Sequence, residues 1–169
     1  IAAGERHVKI TTAYFVQGTE GVEGLCRLAG RGVEVSIFTN SLASTNQVTV
    51  HGGYSEARPK LLKCGARLFE MRPTDPDRAK SSLFGSADAT LHTKNFSVDG
   101  RIGFIGSFNF DLRSAYLNTE MGLLIENEAI AAAIEAVFAD EISARKSYEA
   151  FLEGSALRWR DGERVLDRE

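Results

Sequence analysis

The chain has 169 residues, 20 Lys and Arg against 23 Asp and Glu for a net charge of −3, and 43% hydrophobic residues. That length and balance describe one globular domain over residues 1–169 and argue against a generally basic nucleic-acid binder. No apolar run reaches the ~18 residues of a membrane span, and the two cysteines, Cys26 and Cys64, are too few for a disulfide framework or a Cys-based zinc site.

Residues 8–16 (VKITTAYFV) are β-branched and aromatic and read as a buried strand. Residues 21–30 carry Val22, Leu25, Cys26 and Leu28 near helical spacing, with Gly30 and Gly32 as the stop. Residues 33–39 form a second strand and residues 40–47 a polar loop. Residues 50–63 read as a helix ended by Cys64-Gly65, in which Pro59 predicts a kink or an early break. Residues 66–71 are a third strand, and the β-α-β-α-β order implies parallel strands with right-handed crossovers. Residues 73–89, rich in Pro, Ser, Asp and Gly, read as a mobile loop. Two strands, 90–98 and 101–108, then flank Asp99-Gly100, a strong hairpin signal. Residues 120–126 are another strand. Residues 129–151 read as the longest helix, with Ile130, Ile134, Val137, Phe138, Ile142 and Tyr148 toward the core. A peripheral hairpin or tail around Asp161-Gly162 occupies 154–169. The fold class is α/β, with a mixed central β-sheet and helices on both faces.

Chemistry concentrates in residues 92–109, HTKNFSVDGRIGFIGSFN. His92 and Lys94 are two apart on a strand and leave the same face. A two-residue turn would pair Val98 with Arg101, Phe96 with Gly103, Lys94 with Ile105 and His92 with Ser107. That register sets the Ser107 hydroxyl beside His92, with Asn109 two residues on. An imidazole, an ammonium, a hydroxyl and a carboxamide together suit a phosphoryl group. Lys94 brings a point charge, Ser107 and Asn109 donate to non-bridging oxygens, and His92 can attack phosphorus or protonate a leaving oxygen. Gly103 and Gly106 permit close backbone approach. A carboxylate at Glu120 on the imidazole Nδ1 would fix the tautomer and leave Nε2 for substrate. No metal or other cofactor is needed. Gly106-Ser107 does not fit the G-x-S-x-G elbow of serine hydrolases.

The segment resembles the HKD motif of the phospholipase D superfamily, HxK(x)4D(x)6GSxN, which His92, Lys94, Asp99, Gly106, Ser107 and Asn109 all satisfy. Leu117-Asn118-Thr119-Glu120 is similar to the family's Asn-x-Glu continuation, and residues 11–16, 32–43 and 51–54 are similar to the second half of bacterial cardiolipin synthase-type enzymes. The resemblance implies a phospholipase D-like domain acting on a phospholipid or other phosphodiester through a phosphohistidine. It implies two motifs across a pseudo-twofold axis, Lys94 and Asn109 holding phosphate oxygens, and Asp99 as a structural partner near the turn. Only one motif is present. The chain, which begins at Ile1 with no signal-peptide pattern, therefore reads as the C-terminal half of a longer bacterial protein. Its partner would be the N-terminal half with the other motif, at the inner membrane surface and without nucleic acid. A homodimeric single-motif phosphodiesterase or nuclease is the alternative, and a non-catalytic binding domain a second one. The family pattern often has Pro where Leu112 stands and an acid where Asn46 stands.

Residues outside the motif have bland readings. Residues 57–80 carry seven Lys and Arg against three acids, a solvated face or a draw for an anionic ligand. Residues 120–153 carry eight acids against two bases. His51 reads as a helix-surface or capping histidine and His7 as solvated. Cys26 and Cys64 read as inert thiols on apolar helix faces. Trp159, between Arg158 and Arg160, reads as touching either a membrane surface or the missing half.

Overall fold

The computed structural model describes residues 1–73 and 90–168. Strand β1 (His7–Thr11) and β3 (Glu34–Asn40) pair in parallel, as do β3 and β4 (Arg67–Met71). Residues 35–40 of β3 and 68–71 of β4 are buried in succession because both sheet faces are covered. Helix α1 (Gly18–Gly30) follows the short β2 (Phe15–Val16) and crosses from β1 to β3. Helix α2 (Val48–Lys63) crosses from β3 to β4. This is the β-α-β-α-β order expected. Each helix ends two residues before a left-handed glycine, Gly32 at φ 87° and Gly65 at φ 94°.

A hairpin, β5 (Asn95–Val98) and β6 (Ile102–Gly106), adds to β1 on the other side, antiparallel. Then come β7 (Phe110–Asp111), the single-turn α3 (Leu112–Tyr116), β8 (Gly122–Glu126) and α4 (Glu128–Glu141). Strands β9 (Ser147–Glu153), β10 (Ala156–Asp161) and β11 (Arg164–Leu166) complete a mixed sheet, of nine strands among the described residues, in the order β11-β10-β9-β4-β3-β1-β5-β6-β8. Val22, Leu25 and Leu28 of α1 and Tyr54 and Leu61 of α2 cover one face, over Val8, Ile10, Val35 and Ile37. Phe138 of α4 packs with Phe38, Phe69 and Met71 on the other. Helices thus lie on both faces of a mixed sheet, as the sequence implied.

Several boundaries differ from the sequence reading. The strand expected over 8–16 breaks after Thr11. Phe15 and Val16 turn away to pair with Phe110 and Asp111 in a separate two-stranded sheet. Helix α2 runs on through Pro59, although the missing N–H leaves the Ser55 carbonyl without its helical donor. Tyr54, Arg58 and Leu61 are buried around the proline and hold the helix to the sheet. The helix expected over 129–151 stops at Glu141. The Ser143 carbonyl takes the N–H groups of Lys146 and Ser147, and the chain turns to pair as β9 with β4. The β4 edge needs a partner, and that long-range demand overrides a local helical period. The hairpin around Asp161-Gly162 is present as the outer strands of the sheet, with Trp159 buried and its indole N–H donated to Glu70 at 2.7 Å. The loop expected over 73–89 falls, from residue 74 on, outside the described residues.

Four side chains read as incidental have definite partners. Cys26 and Cys64 are joined in a disulfide that links α1 to the end of α2, with Cα atoms 5.4 Å apart, so neither is a free thiol. His51 is buried, its ring edge-on to Tyr54. His7 meets Glu135 Oε1 at 2.7 Å, and that carboxylate also takes Lys9 Nζ at 2.6 Å and Ser97 Oγ at 2.8 Å.

Candidate active site

The site gathers at one end of the sheet, where β1 and β3 finish and the chain enters β5. The Asn40 side chain, buried at the end of β3, uses every hydrogen-bonding position it has. Its Oδ1 accepts the Leu91 N–H at 3.0 Å and the Ser44 hydroxyl at 3.1 Å. Its Nδ2 donates to the Leu91 carbonyl at 3.1 Å and the Ala13 carbonyl at 2.9 Å. Thr12 does a related job for the other segment, accepting the Phe110 N–H at 3.2 Å on its hydroxyl. The residues just before His92 and just after Asn109 are therefore tied to the core.

His92 is exposed and Lys94 is buried. The Lys94 ammonium lies against His92 Nδ1 and donates to the His92 carbonyl at 2.6 Å. Burial pulls the Lys94 pKa below the usual lysine range, while the Glu120 and Asp111 carboxylates hold it up. Ser107 is exposed and donates to Glu120 Oε2 at 2.5 Å, and the Asn118 amide donates to Glu120 Oε1 at 3.1 Å. The Ser107 hydroxyl first, then Ser114 and Asn118, keep the Glu120 carboxyl below its ordinary range, with Lys94 adding to the effect. Asn109 Oδ1 is buried and has no hydrogen-bond partner among the described residues. The residue borders a cavity of about 540 Å³ that Tyr14, Gln47, Thr49, Asp111 and Arg113 also line.

Two expected contacts are not made. The hairpin pairs Val98 with Ile102 and Phe96 with Phe104, one residue out of the expected register. Asp99 and Gly100 both take positive φ, 56° and 67°, and Arg101 falls within the turn rather than in the ladder. A slip of one residue exchanges faces. Phe96 and Phe104 then stack at 4.9 Å, and Gly103 faces α4, where a Cβ would come within 2.7 Å of Ile134 Cδ1. Lys94, not His92, lies across from the end of β6, its carbonyl accepting the Gly106 N–H at 3.2 Å. Ser107 consequently joins Met121 and Glu120 instead of standing opposite His92. Glu120 does not orient the imidazole, since its oxygens are engaged by Ser107 and Asn118 and Nδ1 faces Lys94. Gly106 does allow close approach: a Cβ there would sit 2.6 Å from the Met121 carbonyl oxygen and 2.8 Å from Gly122 Cα.

Asp99 lies at the far end of the hairpin. Its carboxylate accepts the N–H groups of Glu5, Arg6 and His7 at 2.8–2.9 Å. Burial opposes its ionisation, but the three amides outweigh that and its pKa falls below the ordinary value.

A family model described as "Cardiolipin synthase, PLD-like domain" matches residues 1–142. The chain belongs to this family. This PLD-like domain is 46% identical over 137 residues to cardiolipin synthase C of Escherichia coli (strain K12), covering 78% of this chain and 28% of that protein. It is 31% identical over 151 residues to cardiolipin synthase A of Klebsiella pneumoniae subsp. pneumoniae, covering 89% and 27%. It therefore spans under a third of the length of these relatives. In fold the PLD-like domain is similar to Nuc from Salmonella typhimurium, a phospholipase D family member, with TM-score 0.62 and 20% identity over 82% of this chain and 79% of that one. It is similar to NucT from Helicobacter pylori to the same TM-score of 0.62, at 17% identity.

The residues that sequence reasoning missed are Asn40, Thr12 and Asp111. Asp111 caps α3 by accepting the Ser114 N–H at 2.7 Å and adds negative charge near Lys94. The buried strand that ends at Asn40 was the one available signal for it, because a polar side chain there must find partners.

Proposed function

We propose that this PLD-like domain carries half of a phosphodiester-transfer site, with His92 forming a covalent bond to phosphorus. The observation that carries the reading is the placement of Lys94. Its buried ammonium lies against Nδ1 of the exposed His92 imidazole, which brings the cation that would hold a phosphate oxygen and the ring that would attack phosphorus to one place. In the first step Lys94 turns its ammonium from Nδ1 to a phosphate oxygen, the ring proton sits on Nδ1, and the Nε2–P bond forms as the P–O bond to the leaving alcohol breaks. That oxygen takes a proton from an acid of the companion motif. In the second step an acceptor O–H gives up its proton, its oxygen bonds to phosphorus and the Nε2–P bond breaks. Water as acceptor gives hydrolysis and a lipid alcohol gives phosphatidyl transfer. Lys94 and Asn109 clamp non-bridging oxygens, and Ser107, held by Glu120, assists.

The likeness to cardiolipin synthases favours a phospholipid substrate and a longer parent protein whose other half carries the second imidazole. A lipid substrate would bring the parent to a membrane surface. Among the described residues no helix is long and apolar enough to cross one. The exposed apolar side chains beside the site, Leu117, Met121, Leu123 and Leu124, support a missing companion domain.

The test is made on the parent protein. His92→Asn should lower the rate of alcohol release from a phosphatidyl diester by at least about a thousandfold. Wild-type protein quenched in alkali during turnover should carry a phosphoryl adduct on the His92 peptide by mass spectrometry. Retained activity in His92→Asn overturns the reading.

A further inference from the structure

We propose that Asn40 is a positioning residue for His92, because its buried carboxamide holds the Leu91 backbone from both sides and so fixes where the imidazole stands. The proposal rests on the reading of His92 as the reacting group. Leu91 is the residue immediately before His92, and its N–H and carbonyl both meet the Asn40 side chain, at 3.0 and 3.1 Å. This two-way grip copies one rung of a β-ladder with a side chain in place of a strand. The same carboxamide takes the Ala13 carbonyl at 2.9 Å, just past the end of β1, so three segments meet on one planar group. Its remaining acceptor position is filled by Ser44 Oγ at 3.1 Å, and Ser44 in turn accepts the Ser41 N–H at 2.9 Å. Four partners fill all four positions, which fixes both the rotamer and the orientation of the amide. No other residue type does this job. Asp keeps the acceptors and loses both donors, leaving carboxylate oxygens facing the Leu91 and Ala13 carbonyls. Ala leaves the Leu91 N–H and carbonyl buried without partners. The hydrogen bonds of the Asn40 side chain go to Leu91, Ala13 and Ser44, so its effect on chemistry passes through the Leu91–His92 backbone.

Displacement of a reacting group by about 1 Å costs up to about a hundredfold in rate. In the parent protein, with a phosphatidyl diester as substrate, Asn40→Asp and Asn40→Ala should lower kcat about 30-fold or more while KM stays within about twofold. Leu28→Ala, in the α1 core far from the site, should lower the melting temperature comparably and leave kcat within about twofold. If neither Asn40 variant folds, Ser44→Ala decides, with an expected fall in kcat of about threefold at unchanged KM. An unchanged kcat in the folded variants, a change confined to KM, or an equal kcat loss in Leu28→Ala overturns the proposal. An active His92→Asn parent sinks the functional reading and the role of Asn40 with it. An inactive His92→Asn beside fully active Asn40 variants sinks the role of Asn40 alone.

Discussion

Lys94 is a cation that burial disfavours and two carboxylates sustain. Removing one carboxylate shifts that balance in a known direction. In Glu120→Gln the Lys94 ammonium loses its largest charge support, so its pKa should fall further below the lysine range. The alkaline limb of the parent's pH–rate profile should move to lower pH, and a limb that stays in place would show that Lys94 does not titrate in that limb. The identities of these residues were legible in the sequence, since His92, Lys94, Ser107, Asn109 and Glu120 stand in a recognisable spacing. Their contacts were less so. The Ser107–Glu120 and Lys94–His92 pairs depend on a strand register that Asp99-Gly100 announces but does not specify to the residue.

At the scale of elements, α1 and α2 are joined twice at their exposed side, by the Cys26–Cys64 disulfide and by Lys60 Nζ to Glu23 at 3.1 Å. The exposed ion pair adds little. The disulfide closes a loop with a sequence separation of 38, which by loop-closure entropy is worth up to about 4 kcal/mol. Reduction, or Cys26→Ser, should therefore lower the thermal midpoint of the domain by several degrees, and a midpoint indifferent to reductant would refute the linkage. Spacing alone did not reveal the bridge, because two cysteines on different helices meet only once the crossovers are right-handed and adjacent. The length of the last helix was hidden for a related reason. Ile142 and Tyr148 fit an apolar helical stripe equally well, and only the open edge of β4 draws residues 147–150 into a strand.

Across the whole molecule, Glu135 of α4 binds together β1 and β5 through His7, Lys9 and Ser97. Burial works against its ionisation, but these three partners, led by Lys9, bring its pKa from 4.5 to about 2. A carboxyl depressed in the folded state stabilises at pH above its unfolded value of 4.5, and that contribution is lost as pH falls toward about 2. The loss is at most about 3 kcal/mol, less for screening by water at its open side. Asp99 pulls in the same direction. Urea denaturation at pH 6 and pH 3 should show this decline, and Glu135→Gln should flatten it. An equally steep decline in the variant would exclude Glu135 as its source. The layered sheet and its helical cover were legible from the order of apolar runs. The outermost strands were less so, because their partners lie far away along the chain.

His92 and Asp99 belong to one motif and flank one strand, β5, yet they sit at opposite rims of the sheet, the imidazole open to solvent and the carboxylate locked onto the amides of residues 5–7. Damage at the first rim would slow each surviving molecule. Damage at the second would thin out the population without altering its members. A screen scored by product per cell merges the two, whereas titrating functional copies separates a broken tool from a missing one.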